Sequence, residues 1–145
     1  DQQDNALLSA AWEAGKWQDF LPVGQDVRSR GQPALAGLGG VGHLGYIGMD
    51  YKHYHLHRTA GVWSAAAQVG KPHAYGPSAP GVAPIGGALW GAWLDGAAGN
   101  QIAVSQLGPD GWAAPQHVGD KTDTTLAPTL VGPGDGLGAL VIWLR

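Results

Sequence analysis

The chain has 145 residues, a formal net charge of −3 and 13% charged residues, with no basic run. That length fits one domain with a fair core, and the charge pattern argues against a nucleic-acid or anionic-membrane surface. Cysteine is absent, which excludes disulfides and thiolate metal sites, while 25 Gly, 10 Pro and 7 Trp beside a single Met and a single Phe describe a turn-rich folded protein whose core rests on Trp, Leu, Val, Ile and Ala.

Residues 1–5 are polar and read as a frayed start, and no charged-then-apolar leader or apolar run of ~18 residues follows, so neither a signal peptide nor a transmembrane segment is expected. The compartment stays open, leaning towards a secreted or extracellular one. Residues 6–17 contain good helix formers in Leu7, Ala10, Ala11 and Ala14. A repeated frame overrules the helix. Five residues separate Trp17 from Val23-Gly24, Trp63 from Val69-Gly70 and Trp112 from Val118-Gly119. Each copy is followed by a Pro opening an apolar run, at Pro33, Pro80 and Pro128. The Trp spacings are 46 and 49 residues and the Pro spacings 47 and 48, so the domain 1–145 is expected to be three copies of one unit, about 5–52, 53–100 and 101–145.

If the turn before each Trp varies by a residue or two, 6–9 matches 54–57 and 102–105, which alternate as a strand should. The second copy then reads as four short strands, roughly 53–58, 62–68, 81–85 and 89–94, with Gly86-Gly87 as a hairpin signal repeated at Gly39-Gly40 and in Gly134-Asp135-Gly136. An all-β fold is expected, and a four-stranded unit of this length is the size of one propeller blade. The β-trefoil is the alternative for three repeats, but its usual lectin signature, Gln-x-Trp, does not occur.

The order Pro33-Ala-Leu-Ala, Gly-Gly, Leu44-x-x-x-x-x-Asp50, a polar strand and Gly61-Val-Trp63-Ser64 resembles the blade repeat of bacterial and fungal β-propeller lectins over residues 6–145. The resemblance implies that the Pro-opened strand is innermost and the Trp strand outermost. The chain would then begin with two outer strands and finish with two inner ones, making three four-stranded blades. Two chains closing into a six-bladed ring would pair the open edges, so a homodimer is expected.

Propeller geometry places the loops after each Val-Gly on one face with the turns at 49–52 and 95–100. These polar stretches offer Arg28, Arg30, Asp50, Tyr51, His73, Tyr75, Asp95, Asn100, Lys121 and Asp123 as ligand-binding candidates. Asp50 and Asp95 align and could be sugar-hydroxyl acceptors or turn-closing residues. Trp17, Trp63 and Trp112 are either packing residues or platforms for a sugar ring. The leading functional reading is a carbohydrate-binding, lectin-like propeller whose partner is a glycan or small polar ligand.

The asymmetric part is 43–75, which holds all four Tyr and five of the six His. There His43, Tyr46, Asp50 and His53 are candidates for an enzyme acting on a small molecule by general acid–base chemistry. His53, His55 and His57 lie on one face of a strand with Tyr54 and Leu56 on the other, and could hold zinc or copper. No cofactor is expected otherwise. The third reading is a protein-interaction or inhibitor module using the Trp and Tyr surface.

Overall fold

The computed structural model describes residues 5–69, 78–119, 126–132, 138 and 140–142. The fold is all-β, and no α-helix occurs among these residues. In place of the helix that 6–17 could have formed stand β1 (Leu8–Ser9), β2 (Trp12–Glu13), β3 (Lys16–Trp17) and β4 (Leu21–Pro22), paired β1 with β4 and β2 with β3. Next comes a sheet of β5 (Ala34–Leu38), β6 (Val41–Ile47), β7 (His53–Thr59), β8 (Val62–Trp63) and β9 (Ala67–Gln68), antiparallel in chain order, with β8 and β9 sharing β7. A second sheet repeats that order in β10 (Gly81–Ile85), β11 (Ala88–Asp95), β12 (Gln101–Gly108), β13 (Gly111–Trp112) and β14 (Gln116–Val118). A last hairpin joins β15 (Thr129–Val131) to β16 (Leu140–Ile142).

Local chemistry sets the turns. Gly39-Gly40 and Gly86-Gly87 all take positive φ, as a two-residue hairpin between right-twisted strands requires. Gly134-Asp135-Gly136 lies outside the described residues. The outermost strand, expected as one piece at 62–68, is broken after the Trp. Ser64 N–H donates to the His57 carbonyl at 2.8 Å, after which the chain detaches before β9. The same bond recurs from Ala113 to Gln106 at 2.9 Å and from Gln18 to Ala11 at 2.8 Å.

Ladder register fixes which residues correspond. Tyr54 opposite Gln68, Ala103 opposite His117 and Leu8 opposite Pro22 each stand nine residues before their Trp. His55 therefore corresponds to Val104 and Ser9, and His57 to Gln106 and Ala11. This corrects the expected match of 54–57 with 102–105, which is one residue out; such a slip exchanges the two faces of a strand. Likewise Asp95 pairs with Gln101 at the end of its ladder, whereas Asp50 lies inside the turn, so the two carboxylates are not equivalent.

Three apolar layers separate successive sheets. Val23, Leu44, Tyr46 and Leu56 fill the first with Leu7 and Trp63, Val69, Trp93 and Ala103 the second with Trp112, and Ala83, Ala92 and Leu130 the third with Val104 and Val141. In each of the first two the outer-strand indole reaches the preceding sheet. Trp63 Nε1 donates to Ser9 Oγ at 3.3 Å, and the Trp112 ring meets His55 edge to face with centroids 5.4 Å apart. Because Ser9 and His55 correspond, the two indoles make one contact twice. His55 offers Trp112 a ring where Ser9 offers Trp63 an oxygen, and Trp112 Nε1 is left buried without an acceptor.

The inner strands β5, β10 and β15 approach one another closely. A Cβ on Gly81 would lie 2.7 Å from the Pro128 carbonyl oxygen and 3.3 Å from Leu130 N, so β10 accepts no side chain there. Gly81→Ala is expected to lower unfolding stability by about 1–3 kcal/mol. Gly37→Ala, at a strand position with open space around it, should be neutral or slightly stabilising. Chemical denaturation of the two variants checks this; equal effects would contradict the close approach.

Candidate functional site

The turn between β6 and β7 gathers several of the expected residues. Arg30 donates from Nε to the Met49 carbonyl at 2.9 Å and lays its guanidinium 4.0 Å over the Tyr51 ring. This contact holds Tyr51, whose φ of 64° is costly for a bulky side chain. Asp50 Oδ1 accepts from Lys52 N at 3.2 Å, while Oδ2 accepts from the Tyr54 hydroxyl at 2.9 Å and pairs with Lys52 Nζ at 3.1 Å. Burial alone would push the Asp50 carboxyl up, but these hydrogen bonds and the ammonium outweigh it and hold it below its ordinary range. Burial and the carboxylate raise the Tyr54 phenol. Arg28, exposed between β4 and β5, forms an isolated antiparallel bridge with Ala6.

The turn between β11 and β12 closes differently. Asp95 Oδ1 accepts from Ala97 N and Ala98 N at 3.0 and 3.3 Å, capping the short 3-10 segment Gly96–Ala98, and Oδ2 meets His117 Nε2 at 2.9 Å. Asn100, at φ 62°, donates its N–H to the Asp95 carbonyl. Both Asp50 and Asp95 thus close turns. His73, Tyr75, Lys121 and Asp123 lie outside the described residues.

The face of β7 towards the second sheet carries His53, His55 and His57, with His43 beside them on β6. His43 Nδ1 and His55 Nε2 are 3.0 Å apart with their rings stacked, and both imidazoles are buried. Burial lowers the His43 pKa, aided by His57; burial lowers His55 to about 4, aided by His43 and His57. His53 is fully buried with Nε2 on the Ser78 carbonyl at 2.8 Å, and desolvation brings its pKa to about 4 against the smaller opposing effects of that carbonyl and Asp95. Its Nδ1 has no partner. Among the described residues no three His, Asp or Glu side chains are disposed to hold a metal. Tyr46 faces the other way, stacked on Tyr54, and burial together with Tyr54 and Asp50 pushes its hydroxyl up to about 12. The acid–base candidates are therefore divided between two faces of one sheet, with Asp50 in the turn.

A different set of residues surrounds open space. Between the two sheets runs a groove of about 720 Å³ lined by Tyr54, Ala67 and Gln68 on one side and by Asp110, Trp112 and Pro115 on the other. The Trp112 indole and the exposed Asp110 carboxylate meet there, with Trp112 held by Gly91, where a Cβ would lie 3.0 Å from the indole. Gln68 and Asp110 escape a sequence reading that looks in polar loops, because one sits on an outer strand and the other in a two-residue turn. Their signal is positional: Gln68 follows Trp63 by five residues and Asp110 precedes Trp112 by two.

No family model matches the sequence, and no curated protein matches it at a significant level. Among the described residues no helix is long and apolar enough to cross a membrane.

The histidine row makes stability depend on pH. Because folded His53 and His55 bind protons less well than an unfolded His with pKa near 6.5, the unfolded state takes up more protons as pH falls from about 6.5 to 4, and stability falls with it. Above pH 7 the effect vanishes. The double variant His53→Ile and His55→Val installs the corresponding residues Ile102 and Val104 and should flatten the decline in urea midpoint between pH 7 and pH 5. An unchanged slope would show that the row is not responsible.

Proposed function

We propose that the protein is a carbohydrate-binding, lectin-like β-propeller, with a glycan seated in the groove between successive sheets. The observation that carries this reading is the Trp112 indole beside the exposed Asp110 carboxylate on the lining of that groove. A sugar C–H face packs against an indole, and a carboxylate accepts from ring hydroxyls. Among the described residues the groove is lined by a single carboxylate, whereas glycoside hydrolysis ordinarily uses two. Binding without catalysis follows from that chemistry. The Arg30, Tyr51 and Asp50 cluster of the loop face is occupied with its own turn.

Three features support the propeller architecture over a β-trefoil. Each sheet is an open antiparallel meander in chain order. Successive sheets face each other across apolar layers. The starts of β5, β10 and β15, each near its Pro at 33, 80 and 128, surround one cavity of about 390 Å³, as inner strands about a common axis do. In this reading two chains close a ring of six sheets, and shallow grooves repeated around it gain avidity.

Glycan-array screening followed by calorimetry tests the reading. Asp110→Ala should weaken binding of the best glycan at least tenfold, about 1.4 kcal/mol, without shifting the thermal midpoint. Undiminished binding, or no binding to any glycan, would reject it.

A further inference from the structure

We infer that Arg30, held over Tyr51 at the turn between β6 and β7, binds a small monocarboxylate through the two terminal nitrogens of its guanidinium. The site is separate from the groove. It lies just before β7, whereas Asp110 lies beyond the far end of the corresponding strand β12.

The turn itself asks for a different residue. Gly48 N–H donates to the Lys52 carbonyl at 2.8 Å and Tyr51 N–H to the Gly48 carbonyl at 3.0 Å, so 49–51 is a three-residue hairpin loop whose last member is left-handed. Tyr51 takes that place at φ 64°. Glycine and asparagine enter this region with little penalty, and a bulky aromatic residue does not. The other copies of the unit follow that rule. Asn5 and Asn100 stand twelve residues before Trp17 and Trp112, as Tyr51 stands twelve before Trp63, and Asn100 has φ 62°. Burial does not compensate the strain either, because Tyr51 is 48% exposed. Such strain at an exposed side chain points to a role outside the turn.

What the ring does is hold a cation. The Arg30 guanidinium lies 4.0 Å above it, and Nε donates to the Met49 carbonyl at 2.9 Å. The turn therefore uses Arg30 only through Nε. With that nitrogen tied and its plane laid on a ring, the guanidinium is oriented before any ligand arrives. Its side chain is exposed, and among the described residues no carboxylate pairs with it. Arg30 also departs from the repeat, since Pro77 and Thr125 stand three residues before Pro80 and Pro128, as Arg30 does before Pro33. Two residues that are each exceptions in their own copies thus meet, and neither is what the turn requires.

Charge and shape decide the anion. Lys52 Nζ pairs with Asp50 at 3.1 Å, so Arg30 and Lys52 against Asp50 leave one positive charge at the turn. A planar carboxylate matches that charge and takes two parallel N–H donors from the fork. A phosphate dianion would bring a second negative charge towards Asp50. Met49, 43% exposed beside the guanidinium, supplies apolar surface, so the acid carries a carbon body.

NMR of the Arg30 Nε–H in the full chain reads the site directly. Sodium glucuronate and sodium hippurate present the carboxylate on a sugar ring and on an acylated amino acid. At least one should shift that resonance saturably at millimolar concentration, glucose should leave it in place, and inorganic phosphate should bind more weakly than the better acid. Arg30→Lys keeps the charge but loses the fork and should weaken binding about tenfold, read from the proton signals of the acid. Tyr51→Asn supplies the readout that a packing role would not give: a higher thermal midpoint together with binding weakened about threefold or more. No shift with either acid, an equal response to glucose or phosphate, or a Tyr51→Asn chain that is less stable or binds as before would overturn the inference. None of these outcomes bears on the Asp110 groove, whose carbohydrate reading stands or falls by its own variant.

Discussion

An indole wedged between neighbouring sheets is the contact on which the other features depend. A single antiparallel meander of short strands has two apolar faces and is marginal alone, so each sheet must be covered on both sides. Trp63 and Trp112 do this from the outermost strand, where the ladder is thinnest and inner-strand residues do not reach. Each side chain can bury some 150–250 Å² and ties its own strand to the sheet before it. The break after each Trp frees the chain to swing back onto the middle strand, and the groove opens beside that break.

The same constraint explains the histidines. Once the sheets are stacked, the face of β7 carrying His53, His55 and His57 is an interior surface opposite Trp93 and Trp112. The corresponding residues on β12 are Ile102, Val104 and Gln106, so imidazoles replace aliphatic groups at two of three places. A neutral imidazole fills such a site with modest desolvation where a ring nitrogen finds a partner, as His43 with His55 and His53 Nε2 with the Ser78 carbonyl do, although His53 Nδ1 goes without one. Protonation brings charge into an apolar layer. The resulting acid sensitivity belongs to packing between sheets, and these side chains have no need of a substrate to account for their perturbed proton affinities.

Much of the fold was legible because the Trp, Val-Gly and Pro positions recur. The strands expected at 53–58 and 81–85 agree with β7 and β10 within a residue, and the Gly-Gly turns fall where the hairpins are. The one-residue error in matching β7 to β12 has a physical origin. Slack in the turn before the Trp is the wrong place for it: the structure spends the length difference between copies before β7 and β12, where Ile47 opposite His53 brackets 48–52 but the equivalent Leu94 opposite Ile102 brackets 95–101, two residues longer. Alternation alone cannot detect such a slip when both faces of a strand are buried. The candidate site was less legible. Polar loops are where a sequence reading looks, yet Asp50 and Asp95 close their own turns, while Asp110 acquires meaning only when two sheets are brought together.

The ring reading turns on the meeting of β16 with β1 of another copy, and the absence of native cysteine makes that contact directly measurable. Ser9→Cys and Ile142→Cys in one chain, oxidised and run without reductant, should give a covalent dimer in high yield, while Ser9→Cys paired with a cysteine at Leu38 should not. Disulfide formation confined to single chains, or no preference between the two pairs, would contradict the account.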